Sequence, residues 1–214
     1  MRYYMLNKPS GVVSAVKDKT FGTVLDFFPE EERDGLYPVG RLDLDTEGLL
    51  IITDDGDFTF RMLRPEFGIE KKYFFRAFGE ITEEKTEKLK NGGALYGNGE
   101  KARPAFLDEI SLSTVEHDAE YIPEEYRAHC MKNPKGKTFS AVITVTEGKR
   151  HEVKLLLKSI GCRIFYLKRV SMGKFVLDKK LKPGEYRKFT EEEKKIAEDY
   201  RKIFIDFSKK EAPA

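Results

Sequence analysis

Gly40-Arg41-Leu42-Asp43-Leu44-Asp45-Thr46-Glu47-Gly48-Leu49-Leu50-Ile51-Ile52-Thr53-Asp54-Asp55-Gly56 puts an arginine and three carboxylates within seven residues, brackets them with glycines, and runs straight into an unbroken apolar segment. A short apolar run bounded by turn residues reads as a buried strand. The simplest picture is an acidic turn feeding that strand. Backbone entering a strand from such a turn is rigidly held, so a carboxylate carried there is fixed in position for chemistry.

Upstream of this stretch, Tyr3 to Leu6 reads as a strand stopped by Asn7-Lys8-Pro9-Ser10-Gly11, with Val12 to Ala15 as its continuation. Thr23 to Phe28 reads as a helical segment that ends before Pro29, because the residue ahead of a proline is pushed out of the α region. Glu30 to Asp34 is a charged loop, and Tyr37-Pro38-Val39 leads into the turn. Downstream, Asp54 to Asp57 closes the strand, and Phe58 to Leu63 forms a helical turn. Ile69 to Phe78 is strand-like by its aromatic content, and Thr82 caps a helix from Glu83 to Lys90 with Gly92 as its stop.

Gly92 to Gly99 reads as a loop with a short strand, Ala102 to Asp108 as another strand, and Phe139 to Val145 alternates like one. The clearest helix carries Val153, Leu156, Leu157 and Ile160 on one apolar stripe, with Gly161 where a C-terminal cap belongs. Arg163 to Val170 and Gly173 to Leu177 return as strands. Thr190 and Glu193 open a final helix whose Ile196, Tyr200 and Ile203 are predicted to face inward. Many short strands with few, separate helices predict an α+β fold around a mixed or antiparallel sheet.

With 214 residues, 40% hydrophobic and 36% charged, the chain is long enough for one large domain or two small ones with a heavily charged surface. No apolar run reaches the roughly 18 residues of a spanning helix, and the first residues lack the apolar core of a signal peptide, so the expected location is the cytoplasm. Cys130 and Cys162 lie in unrelated contexts without CxxC spacing, which suggests no metal site and no disulfide framework. Charge is uneven along the chain. Leu107 to Tyr126 holds seven acidic residues and no Lys or Arg, whereas Lys149 to Lys188 holds thirteen basic residues against three acidic ones. Such a basic stretch is either a phosphate-neutralising surface or a solvated face.

Asp43-x-Asp45-x-Glu47-Gly48 approximates a calcium loop, but Pro38 and Gly40 precede it where a helix is required, and a strand fills its second half. A paired-carboxylate glycosidase is also disfavoured, because residues two apart on an extended turn point in different directions. Asp45 and Thr46 are expected to bond backbone amides of the turn.

The stretch Gly40 to Leu50, with Thr53-x-Asp55-Gly56 behind it, resembles the active-site motif of the pseudouridine synthases, in their RsuA-like branch acting on ribosomal RNA. Leu6 to Gly11 resembles the family's opening strand and loop, and Glu70-Lys71-Lys72-Tyr73 its tyrosine-bearing motif. Glu147-Gly148-Lys149-Arg150-His151-Glu152-Val153-Lys154 is similar to its EGRNRQVRR-type segment, followed by Leu167-Lys168-Arg169-Val170. Pro183 to Arg187 resembles its closing motif.

That resemblance implies isomerisation of uridine to pseudouridine in ribosomal RNA with no metal and no cofactor. It gives Asp43 the role of catalytic carboxylate, as nucleophile or as stabiliser of the sugar cation. Tyr73 would stack on the base and assist proton transfer at C5, and Lys154 would pair with Asp43. Val153 would lie beneath the base, and Arg41 would hold the extruded nucleotide. Lys149, Arg150, Lys168 and Arg169 would contact RNA. Lys154 and Glu152 stand where the family more often has Arg and Gln, which weakens the bidentate geometry available at that point. Most of the branch carries an N-terminal S4-type RNA-binding domain, whereas this chain is expected to begin directly at the catalytic domain and to dock RNA through Lys149 to Lys188. The expected organisation is a catalytic domain over residues 1–207, with two subdomains left open and an insertion at 109–137, then a disordered tail at 208–214. RNA is the expected partner and a monomer the expected state; a non-catalytic RNA-binding or ribosome-assembly factor on the same fold is the alternative.

Overall fold

A computed structural model describes residues 1–92, 96 and 99–203 of the chain. The tail expected over 208–214 and most of the loop expected over 92–99 lie outside the described residues. In chain order the elements are β1 (Tyr3–Lys8), β2 (Tyr37–Pro38), β3 (Glu47–Thr53), α1 (Gly56–Leu63), β4 (Lys71–Phe78), α2 (Glu83–Lys90), β5 (Phe106–Thr114), α3 (Glu124–Cys130), β6 (Lys137–Val145), α4 (Glu152–Ser159), β7 (Arg163–Met172), β8 (Phe175–Val176), β9 (Tyr186–Lys188) and α5 (Glu191–Lys202). The strands form one mixed sheet in the order β5-β6-β4-β7-β3-β1-β9, with β2 beside β3 and β8 beside β7. Among the described residues the α+β class expected from the sequence is observed.

The apolar run Leu49–Ile52 is unbroken because β3 is covered on both faces. Leu50 and Ile52 join Tyr4 and Leu6 in one core, and Leu49 and Ile51 join Tyr3 and Met5 in the other. Full burial of each such side chain is worth about 1.5–3 kcal/mol, which makes β3 and its antiparallel partner β1 the rigid spine behind the acidic turn. The first core also receives the inward residues of β4 and β6 and the Val153–Ile160 stripe of α4. Helix α4 ends as its sequence predicts: Gly161 adopts φ +74, its N–H bonds the Lys158 carbonyl, and the Cys162 N–H bonds that of Leu157.

β3 and β7 run parallel and meet over only two pairs, Glu47 with Lys168 and Gly48 with Arg169. Everything else in the sheet pairs antiparallel. The functional turn therefore hangs at the point where the sheet changes sense.

Several expectations are corrected. Val12 to Ala15 does not continue β1; the chain turns away after Pro9, and only an isolated bridge joins Val13 to Thr23. The strand expected over Ala102 to Asp108 starts at Phe106, beyond Pro104, which has no N–H to pair. Between Gly173 and Leu177 only Phe175–Val176 pair, and the closing motif contributes β9, which was not anticipated. Ile203 lies past the end of α5 and is 40% exposed, so the inward stripe stops at Tyr200.

The stretch at 109–137 is an ordered hairpin extension. β5 and β6 pair with each other, and their connection carries α3. Asp118 anchors it, fully buried, accepting from Arg76 of β4 and from Thr138 of β6, while the Arg76 guanidinium lies 3.8 Å over the Tyr121 ring. The acidic character of this stretch is thus partly structural.

Candidate active site

The turn that carries Asp43 is built around a buried ammonium. Lys8, at the end of β1, is 0% exposed, and its Nζ donates to the carbonyls of Pro9 (3.0 Å), Asp43 (3.1 Å), Leu44 (3.3 Å) and Thr46 (2.8 Å). A buried charge persists only when its hydrogen bonds are met, and here carbonyls converge on it because the turn folds around them. Burial pushes Lys8 down to about 8, against the pull of Asp45, Glu47 and Asp43. Two further ties fix the loop. Ser14 Oγ donates to the Leu42 carbonyl and accepts from the Leu42 N–H, both at 3.0 Å, and the Gly11 N–H donates to the Leu44 carbonyl at 2.8 Å.

Helix α4 brings the partner of the carboxylate. Lys154 Nζ lies 3.1 Å from Asp43 Oδ2 and 2.6 Å from Asp45 Oδ1. Burial opposes the charge of Lys154, but the hydrogen bonds it donates to Asp45 and Asp43 outweigh it and raise its pKa. On the other side of the same carboxylate, His151 Nε2 stands 3.5 Å from Asp43 Oδ1. His151 precedes α4 in the left-handed conformation, φ +55, a strained state for a non-glycine residue. Two sequence expectations are overturned by this arrangement. Asp43 and Asp45 converge on one ammonium instead of diverging, and Asp45 and Thr46 do not serve as backbone-bonding turn residues: Asp45 pairs with Lys154, and Thr46 Oγ1 is buried with no partner.

These groups open onto a cleft of about 670 Å³ between the Gly40–Thr46 turn, β4 and the Glu147–Lys154 segment. This lies within the size range of small-molecule sites. Asp43, Tyr73, Lys154, Arg41, Val153, Lys149, Arg150 and Arg169 all line it, so the fold gathers eight of the nine residues singled out in the sequence. Tyr73 is 9% exposed, and burial raises its phenol despite the nearby Arg169. Val153 belongs to both the core and the cleft wall. Arg41 and Arg150 stand exposed at the rim, whereas Lys149 is held by Glu100 (2.6 Å) and Glu147 (3.2 Å) and lies over the Tyr96 ring.

Lys168 is the residue that does not join. Alternation along β7 points Leu167 and Arg169 to the cleft and Lys168 to the opposite sheet face. Arg169, expected as an RNA contact, is 2% exposed, and its Nε donates to the Leu49 carbonyl at 2.8 Å, which makes it a floor residue.

Two cleft residues, Lys71 and His151, and the buried Lys8 beneath the turn have no role in the sequence reading. In the sequence Lys8 belongs to the turn cluster that stops the first strand and to the opening motif, with nothing local to mark it as the centre of the acidic turn. Lys71 was quoted in a motif without a role, yet it is 4% exposed and lines the floor. His151 gave no periodic signal, since its placement depends on the left-handed turn before α4.

The fold thus presents a carboxylate faced by an ammonium, near a buried tyrosine, in a cleft on a mixed sheet, and comparison with known proteins gives the class. A solved structure described as a pseudouridylate synthase matches with a TM-score of 0.73 at 30% identity, covering 92% of this chain and 73% of that one. Residues 2–159 match the family model described as RNA pseudouridylate synthase. The chain belongs to that family and is an RNA pseudouridine synthase, an isomerase. It is 40% identical over 192 residues to an uncharacterized RNA pseudouridine synthase of Bacillus subtilis, YtzG, covering 89% of this chain and 71% of that protein. It is 33% identical to ribosomal small subunit pseudouridine synthase A of Escherichia coli K12, over 90% of this chain and 72% of that one.

Proposed function

We propose that this chain isomerises a uridine of ribosomal RNA, with Asp43 as the carboxylate that acts at the sugar. The observation that carries this reading is the clamp itself: Asp43 opens onto the cleft and is faced on one oxygen by Lys154 at 3.1 Å and on the other by His151 at 3.5 Å. The reaction breaks the N1–C1′ bond and joins C5 to C1′ after the base has rotated. A carboxylate beside C1′ stabilises the sugar cation or bonds to it, and a fixed ammonium orients that carboxylate at no reorganisation cost during reaction.

The remaining assignments follow from position. A base inside a stack cannot reach Asp43, so the target nucleotide is extruded into the cleft. Tyr73 gives the flipped base an aromatic surface and Val153 an apolar one. Arg41 and Arg150 at the rim are the groups placed to meet flanking phosphates. Of the basic residues between Lys149 and Lys188, Lys149, Lys154 and Arg187 are already held in ion pairs and Arg169 is buried. RNA docking through this stretch therefore falls to the others. Ribosomal RNA as the substrate is supported by the name of the Escherichia coli relative, and it implies the cytoplasm; among the described residues no helix is long and apolar enough to cross a membrane.

The test is site-resolved pseudouridine mapping of ribosomal RNA from cells with and without the gene, complemented by the parent protein or by Asp43→Asn. Loss of one pseudouridine on deletion, restored by the parent and not by Asp43→Asn, is the expected result. An unchanged modification map would refute the ribosomal substrate, and turnover by Asp43→Asn would refute the carboxylate.

A further inference from the structure

The floor of the cleft carries three charges that the reading of Asp43 does not use. Lys71 is 4% exposed, Glu152 6% and Arg169 2%, and all three line the cleft. They feel one another electrostatically, since Lys71 is influenced by both Arg169 and Glu152, yet among the described residues none is in an ion pair with another. Retaining them is costly: burial pushes Lys71 down to about 8 and pushes Glu152 up. A buried, unpaired charge is tolerated in a fold when something else completes it.

Each of the three has hydrogen-bonding capacity left over. Lys71 Nζ donates to the Ile69 carbonyl at 3.0 Å, which leaves two of its three N–H groups. The Glu152 oxygens accept from the Gly148 N–H at 2.6 Å and from the Tyr96 hydroxyl at 3.4 Å, about half of what a carboxylate accepts. Arg169 donates from Nε to Leu49, and its Nη2 has no partner. The floor therefore offers donors on two residues and an acceptor on the third.

Burial divides the site in two. The Asp43 side chain is 25% exposed at the mouth, whereas Tyr73 and the three charges are buried together in the cleft wall behind it. A uridine whose sugar is at Asp43 and whose ring lies against Tyr73 directs the far edge of the ring, O2, N3–H and O4, at that floor. This edge is acceptor, donor, acceptor.

We propose that Lys71, Glu152 and Arg169 form the base-reading floor of the cleft, with Glu152 accepting from uracil N3–H and the two cations donating to the flanking carbonyl oxygens. The inference rests on the proposed placement of the sugar at Asp43. Its consequence is specific to this reaction. Moving C5 into the place of N1 rotates the ring about the axis through N3 and C6, which exchanges O2 with O4 and leaves N3–H where it was. A donor–acceptor–donor floor therefore holds uracil equally before and after rotation. Cytosine presents an acceptor at N3 and an amino donor at C4, so it opposes Glu152 at the first position and a cation at the second.

The experiment uses the full chain and an RNA it modifies, with the target uridine replaced by N3-methyluridine, 2-thiouridine or 4-thiouridine, under single-turnover conditions. For the parent protein, N3-methylation is expected to lower the rate about 100-fold or more, because it removes the base's only donor and puts a methyl group against a buried carboxylate. For Glu152→Leu the same methyl group is expected to cost about 5-fold or less, and Glu152→Gln, which keeps an acceptor oxygen, is expected to restore the discrimination. Lys71→Met provides an independent arm: both thio substitutions should slow the parent, since the two oxygens exchange places, and should add little to the slowing in Lys71→Met. An N3-methyl penalty of equal size in the parent and Glu152→Leu, or a parent indifferent to N3-methylation, would overturn the proposal. Turnover of the unsubstituted RNA by Asp43→Asn would instead count against the reading of Asp43 on which the inference rests.

Discussion

At the scale of single residues, the two acids on Lys154 are unequal. Asp45 makes the shorter contact, 2.6 Å against 3.1 Å, but its side chain is 68% exposed and outside the cleft lining, whereas that of Asp43 is 25% exposed and inside it. Exposed ion pairs contribute about 0–1 kcal/mol, so the Asp45 contact steadies Lys154 without deciding its position. Lys154→Met leaves Asp43 without its ammonium and is expected to lower the single-turnover rate of pseudouridine formation about 100-fold or more. Asp45→Asn is expected to lower it less than about 5-fold. Comparable losses in the two variants would show that Asp45 has a direct part in the chemistry.

At the scale of elements, the contact that sets the turn is the approach of β3 to β7. Gly48 has φ +101, and a Cβ there would stand 2.2 Å from the Arg169 carbonyl oxygen and 2.9 Å from its amide nitrogen. Backbone on both sides leaves nothing to swing away. Gly161 provides the comparison, with φ +74 and open space around it. Gly161→Ala pays only the left-handed penalty of about 1–2 kcal/mol, whereas Gly48→Ala must also part the two strands and is expected to cost more than about 3 kcal/mol. Urea unfolding of both variants checks this. Equal destabilisation would mean that β3 and β7 separate easily.

At the scale of the whole molecule, two buried amines give stability a definite pH dependence. Lys8 and Lys71 are each pushed from 10.5 down to about 8 in the fold. Below about pH 8 both folded and unfolded chains hold these protons, and the cost of burying the charges is fully present. Between about pH 8 and 10.5 only the unfolded chain holds them, so stability rises with pH across that window. Tyr3, Tyr96 and Tyr166 act in the opposite sense above about pH 10, because their phenols are raised in the fold and ionise first when unfolded. The free energy of unfolding in urea is therefore expected to increase from about pH 7.5 to 9.5, and to increase less in Lys71→Met. A flat or falling profile in the parent protein would refute the burial of these charges.

The sequence by itself determined the local elements and named most of the charged and aromatic residues that line the cleft. Apolar patterning and caps are short-range, so β3, α4 with its Gly161 end and the Thr190 cap of α5 were legible, as were Asp43, Tyr73 and Lys154 through their motifs. Tertiary structure alone decided what each of these residues meets. That Asp45 shares Lys154 with Asp43 depends on a contact across 109 positions of chain, and that Lys8 holds the turn together depends on carbonyls 35 to 38 positions away. Lys168 and Arg169 are adjacent and alike in charge, yet the pleat of β7 sends one away from the cleft and buries the other in its floor. Residue type records a capacity for charge or hydrogen bonding; only the packed sheet fixes the distance and the dielectric that turn the capacity into a role.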